Sequence, residues 1–441
     1  MTFWTLARVA QALGGGPSDG RPLAGIGTDT RQDLAGRCFV ALRGEHHDAH
    51  DHLADAVRAG AAAVVVSDPT RAAGLGVPVF TVDDTGAALG ALARYRRVAW
   101  GRPVIAVAGS NGKTSTKELL RAVLGSRLTV HATTGNLNNQ VGVPLTLLAL
   151  DDAADVAVIE AGTNQPGELA VLREVMRPDL VVITTIQEEH LEGLGDLAGV
   201  MAEELSLCDE VPVAVVPAAE PDVVTEAVRR AGRVIAVTVP TTHGLLPDGR
   251  GWLEHDGVRV ELALRGRHNV ANAALALAVG HEFGIAAADA AAGLAAMPVP
   301  AMRSAVAPLG RALLLNDAYN ANPGSARAAL ALLAEVGAGR QRVAILGTMR
   351  ELGAAEARAH AEVAAAALAG PAELVCGIGA FGPALAALAP DDPRVVVAAD
   401  VDDLWPRLQP RLAPDAAILL KASRGVQLER LVPLLTSWAT G

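Results

Sequence analysis

One stretch constrains this chain more than any other: Val104-Ile105-Ala106-Val107-Ala108-Gly109-Ser110-Asn111-Gly112-Lys113-Thr114-Ser115-Thr116-Lys117-Glu118-Leu119-Leu120. An apolar run of strand length ends in a glycine-bearing turn, and a helix-compatible segment follows. Strand, glycine-rich loop, helix is the setting a phosphate-binding loop requires. The N–H groups of the loop and of the first helical turn point at phosphate oxygens. Lys113 then reaches the terminal phosphates and the Thr114 hydroxyl ligates Mg²⁺. Gly109, Ser110, Asn111, Gly112 and Ser115 complete the cradle. The general pattern G-x-x-x-x-G-K-[ST] wants its first glycine where this chain has Val107. The glycine comes later, at Gly109, so the loop is a shorter variant. The competing view is a glycine-rich strand-to-helix turn with a chance lysine.

Length and charge narrow the class. At 441 residues the chain is long enough for about three domains. A net charge of −11 argues against a nucleic-acid binder relying on overall charge. An anionic small substrate needs only a local positive site. There is no uninterrupted apolar run of membrane length, and Met1-Thr2-Phe3-Trp4 does not open a signal peptide. Cys38, Cys208 and Cys376 are far apart and odd in number, which suggests reduced thiols in a cytoplasmic protein and no metal cluster. Nothing demands more than a monomer. Lys113, Lys117 and Lys421 are the only lysines.

Residues 1–101 are expected to form a small α/β unit. Helices are predicted over 6–13, 50–59 and 85–98, and strands within 36–45 and over 61–66. Gly60 stands where a helix-terminating glycine would. Arg31, in the turn Asp29-Thr30-Arg31, suits bidentate pairing with a phosphate or is a solvated surface arginine. Trp100-Gly101-Arg102-Pro103 reads as a linker. In 102–300 the phosphate loop is followed by a polar loop carrying Asn136, Asn138 and Asn139, too many amides for a core. A buried-type strand over 156–160 ends in Glu160, and one over 180–186 leads to Gln187-Glu188-Glu189-His190. Ligands of open parallel sheets bind outside such strand ends. Glu160 therefore faces a nucleotide and its Mg²⁺, or caps the next helix. Asn269 and Asn272 share a helix face and suit a purine edge, unless Asn269 is an N-cap. Met297-Pro298-Val299-Pro300 is a second linker. Residues 301–441 alternate strands (312–315, 342–346, 373–376, 395–397, 417–420) with helices, a doubly wound α/β pattern. The loops 316–325 and 421–425 both follow strands, on the same edge.

Taken in order, these motifs resemble the Mur ligase superfamily over nearly the whole length. They are Gly109-x-x-Gly112-Lys113-Thr114, the Asn136–Asn139 loop, Glu160, His190, His268-Asn269-x-x-Asn272, Arg303, Asp317-x-Tyr319-Asn320-Ala321-Asn322-Pro323 and Lys421-x-Ser423-Arg424-Gly425. Tyr319-Asn320-Ala321-Asn322-Pro323-x-Ser325 is similar to the branch that adds a D-alanyl-D-alanine dipeptide. The resemblance implies three domains: a small α/β UDP-substrate domain (1–101), a central P-loop ATPase-type α/β domain (102–300) and a C-terminal Rossmann-like α/β domain (301–441). It implies ATP with Mg²⁺, and two substrates, UDP-N-acetylmuramoyl-tripeptide and D-alanyl-D-alanine, joined through an acyl phosphate in peptidoglycan precursor synthesis. By that likeness Lys113, Glu160, His190 and Arg303 carry the chemistry. Thr114, Glu160, His190 and Glu204 serve the metal, and Asn269 and Asn272 approach adenine. Arg303 and Asp317 meet phosphates or ribose. Asp29, Thr30 and Arg31 take UDP. Asn136, Asn138 and Asn139 belong to the substrate set, and Tyr319, Asn320, Asn322, Ser423 and Arg424 are the dipeptide candidates.

The chain departs from the family at two places. The family carries a carbamylated lysine about one helix past the His190 loop; here Glu204 takes that place, and no lysine exists between Lys117 and Lys421. Glu204 is expected to supply the negative charge permanently, or else to be a surface helix acid. The family also has an acid where this chain has Thr348. Two other functions compete: a Mur-type amide ligase with another acceptor, such as a folate, and a noncatalytic nucleotide-binding relative.

Overall fold

The computed structural model describes residues 2–44, 46–300 and 302–440. Glu45, at the end of a predicted strand stretch, and Ala301, which opens the predicted third domain, lie outside the described residues. The chain forms two compact units. One runs through Ala106 and takes in His131–Ala161 and Ala170–Asp179; the other comprises Val107–Val130, Gly162–Leu169 and the chain from Leu180 on.

In the first unit a parallel sheet has the order Gly25–Gly27, Arg37–Val40, Ala63–Val66, Val79–Thr81. Its strands are apolar on both faces because both are covered. Leu6, Val9, Leu89 and Leu92 pack on one side, and Leu34, Leu53 and Ala56 on the other. Helix Leu6–Leu13 is capped by Thr5 and stopped by Gly14 in the left-handed conformation. Two helix limits differ from expectation. Helix Thr85–Trp100 runs to Trp100, because the stop is Gly101 at φ 70°. The segment expected as one helix over 50–59 is a 3₁₀ turn, Ala49–His52, followed by helix Leu53–Arg58. The Asp48 carboxylate accepts from His50 N at 3.0 Å and from the His50 ring at 2.6 Å, which fixes that tight turn. The fully buried strand Val156–Glu160 receives Thr133 N at Val158 O, 3.1 Å, and donates Ala157 N to Pro103 O, 3.0 Å.

The second unit holds parallel strands in the order Arg233–Val237, Val213–Pro217, Leu180–Ile183, with Thr184 N donating to Ala108 O at 3.0 Å. Helix Lys113–Gly125 follows the phosphate loop. An antiparallel ribbon, His243–Leu245, Arg250–His255 and Val258–Arg265, leads into helix Arg267–Glu282. Further on, a sheet has the order Ala305–Leu309, Ala312–Asp317, Ala417–Lys421, Arg342–Gly347, Leu374–Ile378, Val395–Ala398, with only the first strand antiparallel. All five strands predicted here end one or two residues later than expected, so Asp317 and Lys421 are strand-end residues and direct register partners.

Candidate functional site

The phosphate loop follows a strand buried at every position, Val104–Ala108. Gly109 has φ 113°, and a Cβ there would lie 2.8 Å from Thr184 N and 3.0 Å from Thr185 O. No side chain fits, which is why the short loop needs glycine at this point. Gly112, at φ 87°, starts helix Lys113–Gly125. A Cβ on it would meet the Asn272 carboxamide at 2.8 Å, so that amide packs directly on the loop. The Ser110 hydroxyl donates to Gln187 O (2.9 Å) and accepts from Gln187 N (2.8 Å). Thr114 and Ser115 are buried in the first helical turn.

Lys113 does not extend into solvent. Its ammonium donates to Gly109 O at 2.6 Å and pairs with Glu189 Oε1 at 3.3 Å. Glu204 Oε2 accepts from Gly109 N at 2.7 Å. Burial pushes the Glu204 carboxyl up to about 7, with Lys113 opposing and Glu189 adding to the rise. Burial raises Glu189 too, against the pull of Lys113. Glu204 is fully buried, so it is no surface acid. Its burial beside Glu189 works against the charged form, and the Lys113 ammonium works for it.

His190 sits at φ 49° and Glu351 at φ 65°, both left-handed and neither glycine. The two side chains pair through His190 Nδ1, and Glu192 N donates to Glu351 O at 3.1 Å. The other ring nitrogen, Nε2, stands 3.7 Å from Glu189. Burial works against the charged imidazole, but the Glu351 and Glu189 carboxylates outweigh it and the His190 pKa is raised.

Asn269 lies inside helix Arg267–Glu282, whose N-cap position is Gly266, so it is not a cap. Its amide donates to Arg265 O (2.8 Å), and Asn272 donates to Asn269 Oδ1 (3.1 Å). Arg303 lies over the Tyr319 ring, 4.2 Å from the centroid. Asp317 is held by Lys421 (2.7 Å) and by Ser304 N (2.7 Å), and Lys421 also donates to Asn320 O (2.7 Å). Two dipeptide candidates are already engaged. Asn322 forms a capping box with Ser325 and pairs with Asn111. The Ser423 hydroxyl accepts from Arg350 N at 2.9 Å. Arg424 is exposed and pairs with Glu429 at 3.1 Å. Where the family has an acid, the Thr348 hydroxyl accepts from Ala380 N at 3.0 Å.

In the first unit, Asp29 and Arg31 pair with each other at 2.7 Å, with Thr30 between them. The Arg31 guanidinium holds the Asp29 carboxyl down at about 2. Glu160 accepts from Asn138 at 2.9 Å, and its N–H donates to Thr133 Oγ1 at 2.9 Å. It caps no helix, since the next begins at Glu168. Asn139 accepts from Gly142 N at 2.9 Å and so starts helix Gly142–Leu148, while Asn136 is exposed.

Sequence alone did not single out Glu189, Gln187 or Glu351. The first two lie in the quoted His190 loop, but a string of acids there is indistinguishable from a solvated turn until burial is known. Gly377-x-Gly379-x-x-Gly382 follows strand Leu374–Ile378 and opens helix Phe381–Leu388, the setting of a dinucleotide fingerprint. There Ala380 N donates to the Thr348 hydroxyl, and Asp400 caps helix Val401–Leu408. Among the described residues no group of three or more His, Cys, Asp and Glu could hold a metal ion, and no helix is long and apolar enough to cross a membrane.

Residues 107–280 match the Mur ligase middle domain, and residues 303–424 the Mur ligase, glutamate ligase domain. The chain is 35% identical to the UDP-N-acetylmuramoyl-tripeptide–D-alanyl-D-alanine ligase of Bacillus subtilis, over 92% of each chain. It is 36% identical to that of Escherichia coli, over 94% of each. A crystal structure of MurF from Acinetobacter baumannii superposes with a TM-score of 0.90 at 28% identity, covering 98% of this chain and 99% of the other. MurF from Thermotoga maritima, in complex with ADP, shares the fold with a TM-score of 0.83 at 24% identity, over 94% of this chain and 97% of the other. With the short phosphate loop, the buried Lys113–Glu189 pair and these relatives over most of its length, the chain belongs to the Mur ligase family.

Proposed function

We propose that this chain is an ATP-dependent ligase that joins D-alanyl-D-alanine to the terminal carboxylate of UDP-N-acetylmuramoyl-tripeptide, forming ADP and phosphate, in peptidoglycan precursor synthesis. The observation that carries the reading is the Gly109–Ser115 loop with Lys113 held between Gly109 O and Glu189, in a chain so similar to ligases of that name. A cytoplasmic location, a monomer and the division 1–101, 102–300 and 301–441 belong to the same proposal.

The tripeptide carboxylate attacks the γ-phosphorus of ATP. An O–P bond forms, the bond to the β-phosphate oxygen breaks, and ADP leaves. The dipeptide amine then attacks the acyl carbon, loses a proton, and phosphate departs with its bonding pair. Such a path needs positioning and charge neutralisation more than covalent help. Lys113 exchanges its Glu189 partner for phosphate oxygens, and the loop N–H groups orient them. By the family likeness Thr114, Glu160, His190 and Glu204 would serve Mg²⁺; within the second unit Glu204 Oε1 is buried without a hydrogen-bond partner and is an oxygen open to that ion. The ion would supply charge neutralisation at the phosphates. His190 is oriented for such a role by Glu351 on its other nitrogen.

Phosphate release from ATP tests the reading. Release that requires both UDP-N-acetylmuramoyl-tripeptide and D-alanyl-D-alanine is expected; release with glutamate and a folate, or none with any pair, overturns it. Lys113→Ala is expected to lower turnover by at least about 100-fold while binding of the UDP substrate remains measurable.

A further inference from the structure

The carboxamides of Asn111 and Asn322, 211 residues apart in sequence, face each other. Asn322 Nδ2 donates to Asn111 Oδ1 at 2.9 Å, and Asn111 Nδ2 donates to Asn322 Oδ1 at 3.1 Å and to Gln187 Oε1 at 2.8 Å. Asn322 Oδ1 also accepts from Ser325 N at 2.8 Å, which caps helix Pro323–Val336. Both N–H groups of Asn111 are thus used inside the protein. Asn322 is 5% exposed. A cap needs only one acceptor oxygen, which serine or aspartate supplies as well. The surplus amino group of Asn322 goes to the phosphate loop instead. Gly324 fits the same arrangement, because a Cβ there would collide with Gln187 Oε1.

We infer that Asn322 is a positioning residue of the phosphate loop. Its pairing with Asn111 pins the loop and the Gln187 segment to the first turn of helix Pro323–Val336. Residues Asp317–Ala321, which lead straight into that helix, are thereby held in register with the loop. The inference rests on the ligase reading and adds to it a residue that acts through Asn111 and not on substrate. A cap alone would leave the loop free to shift. The reciprocal pair makes loop and helix move together.

The test uses the full chain with Asn322→Ser, Asn322→Asp, Asn111→Ser and the double variant Asn111→Ser/Asn322→Ser. Serine keeps the cap and loses the reach to Asn111. Asn322→Ser is expected to lower kcat about tenfold while KM for ATP and the calorimetric affinity for ADP stay within about twofold. Its melting temperature should match that of the wild type. Asn322→Asp keeps the cap and the acceptor for Asn111 Nδ2 but sets an oxygen against Asn111 Oδ1, so it should do no better than Asn322→Ser. The double variant should be no worse than Asn111→Ser alone, since both remove the same interaction. Hydrogen exchange at Gly109 N and Ser110 N should speed up about tenfold in Asn322→Ser whether or not turnover is measurable. Unchanged loop exchange, unchanged kcat in an active enzyme, or losses that multiply in the double variant each overturn the inference. A wild type inactive with both substrates overturns the ligase reading, and the exchange measurement then decides the clasp by itself.

Discussion

Lys421 is the only lysine beyond Lys117, and the fold sets it in a buried ion pair that a neutral residue would not make. It ends strand Ala417–Lys421, beside the end of strand Ala312–Asp317, and meets Asp317 at 2.7 Å with its side chain 5% exposed. At that distance, with an effective dielectric constant of about 20, the gross attraction is about 6 kcal/mol. Desolvation of both groups offsets much of it. Removal of one partner leaves the other buried and unpaired, which costs about 3–5 kcal/mol. Lys421→Met keeps the length of the side chain, leaves the Asp317 carboxylate to the Ser304 N–H, and frees Asn320 O. With a urea m-value of about 3 kcal/mol/M the midpoint should fall by about 1–2 M. Denaturation followed by tryptophan fluorescence reads this, because Trp405 and Trp438 pack against the core of the same sheet. Asp317→Leu combined with Lys421→Met should regain most of the lost stability, since an apolar pair replaces an ion pair. A single-variant shift below about 0.3 M, or a double variant as weak as the single, would refute the argument that an unpaired buried charge sets the cost.

Gly109→Ala should weaken ADP binding by at least about tenfold and destabilise the protein by about 2 kcal/mol or more, because the methyl group meets Thr184 N and Thr185 O in a left-handed conformation; normal calorimetric affinity would contradict this. Glu351→Gln should lower turnover about tenfold through loss of the charge-assisted bond to His190, with the imidazole tautomer read by NMR; an unchanged tautomer would count against the orienting role. His131, His268 and His360 have pKa values lowered by burial. The unfolded chain therefore binds more protons than the native state below the ordinary histidine value of about 6.5. Their stability contribution is present above that pH and is lost as pH falls toward the lowered native values. His190, raised by its carboxylates, and Glu189 and Glu204, raised by burial, act in the opposite sense. The urea midpoint of His360→Asn should therefore lose less than that of the wild type between pH 7 and pH 5, and an equal change in both would contradict the burial argument.

Local chemistry was legible wherever a residue type is dictated by the backbone or by a repeating period. Gly60, read as a helix-terminating glycine, stands at positive φ, and the alternation of apolar strands and helices past residue 302 proved to be a mostly parallel sheet. The antiparallel ribbon from His243 to Arg265 was not foreseen. A three-residue strand leaves no period to read, whereas the alternation over Val258–Arg265 was present in the sequence and was missed.

By itself the sequence determined the phosphate loop, its strand and helix, and the family likeness, because glycine geometry and residue order are local properties of the chain. Only the tertiary structure decided which polar groups are still available. It set Lys113 against Glu189, turned His190 onto Glu351, buried Glu204, and spent Asn322 and Ser423 on the fold. The reason is physical: the state of an ionisable or amide group depends on burial and on partners brought from up to 211 residues away. Spacing along the chain carries no record of either.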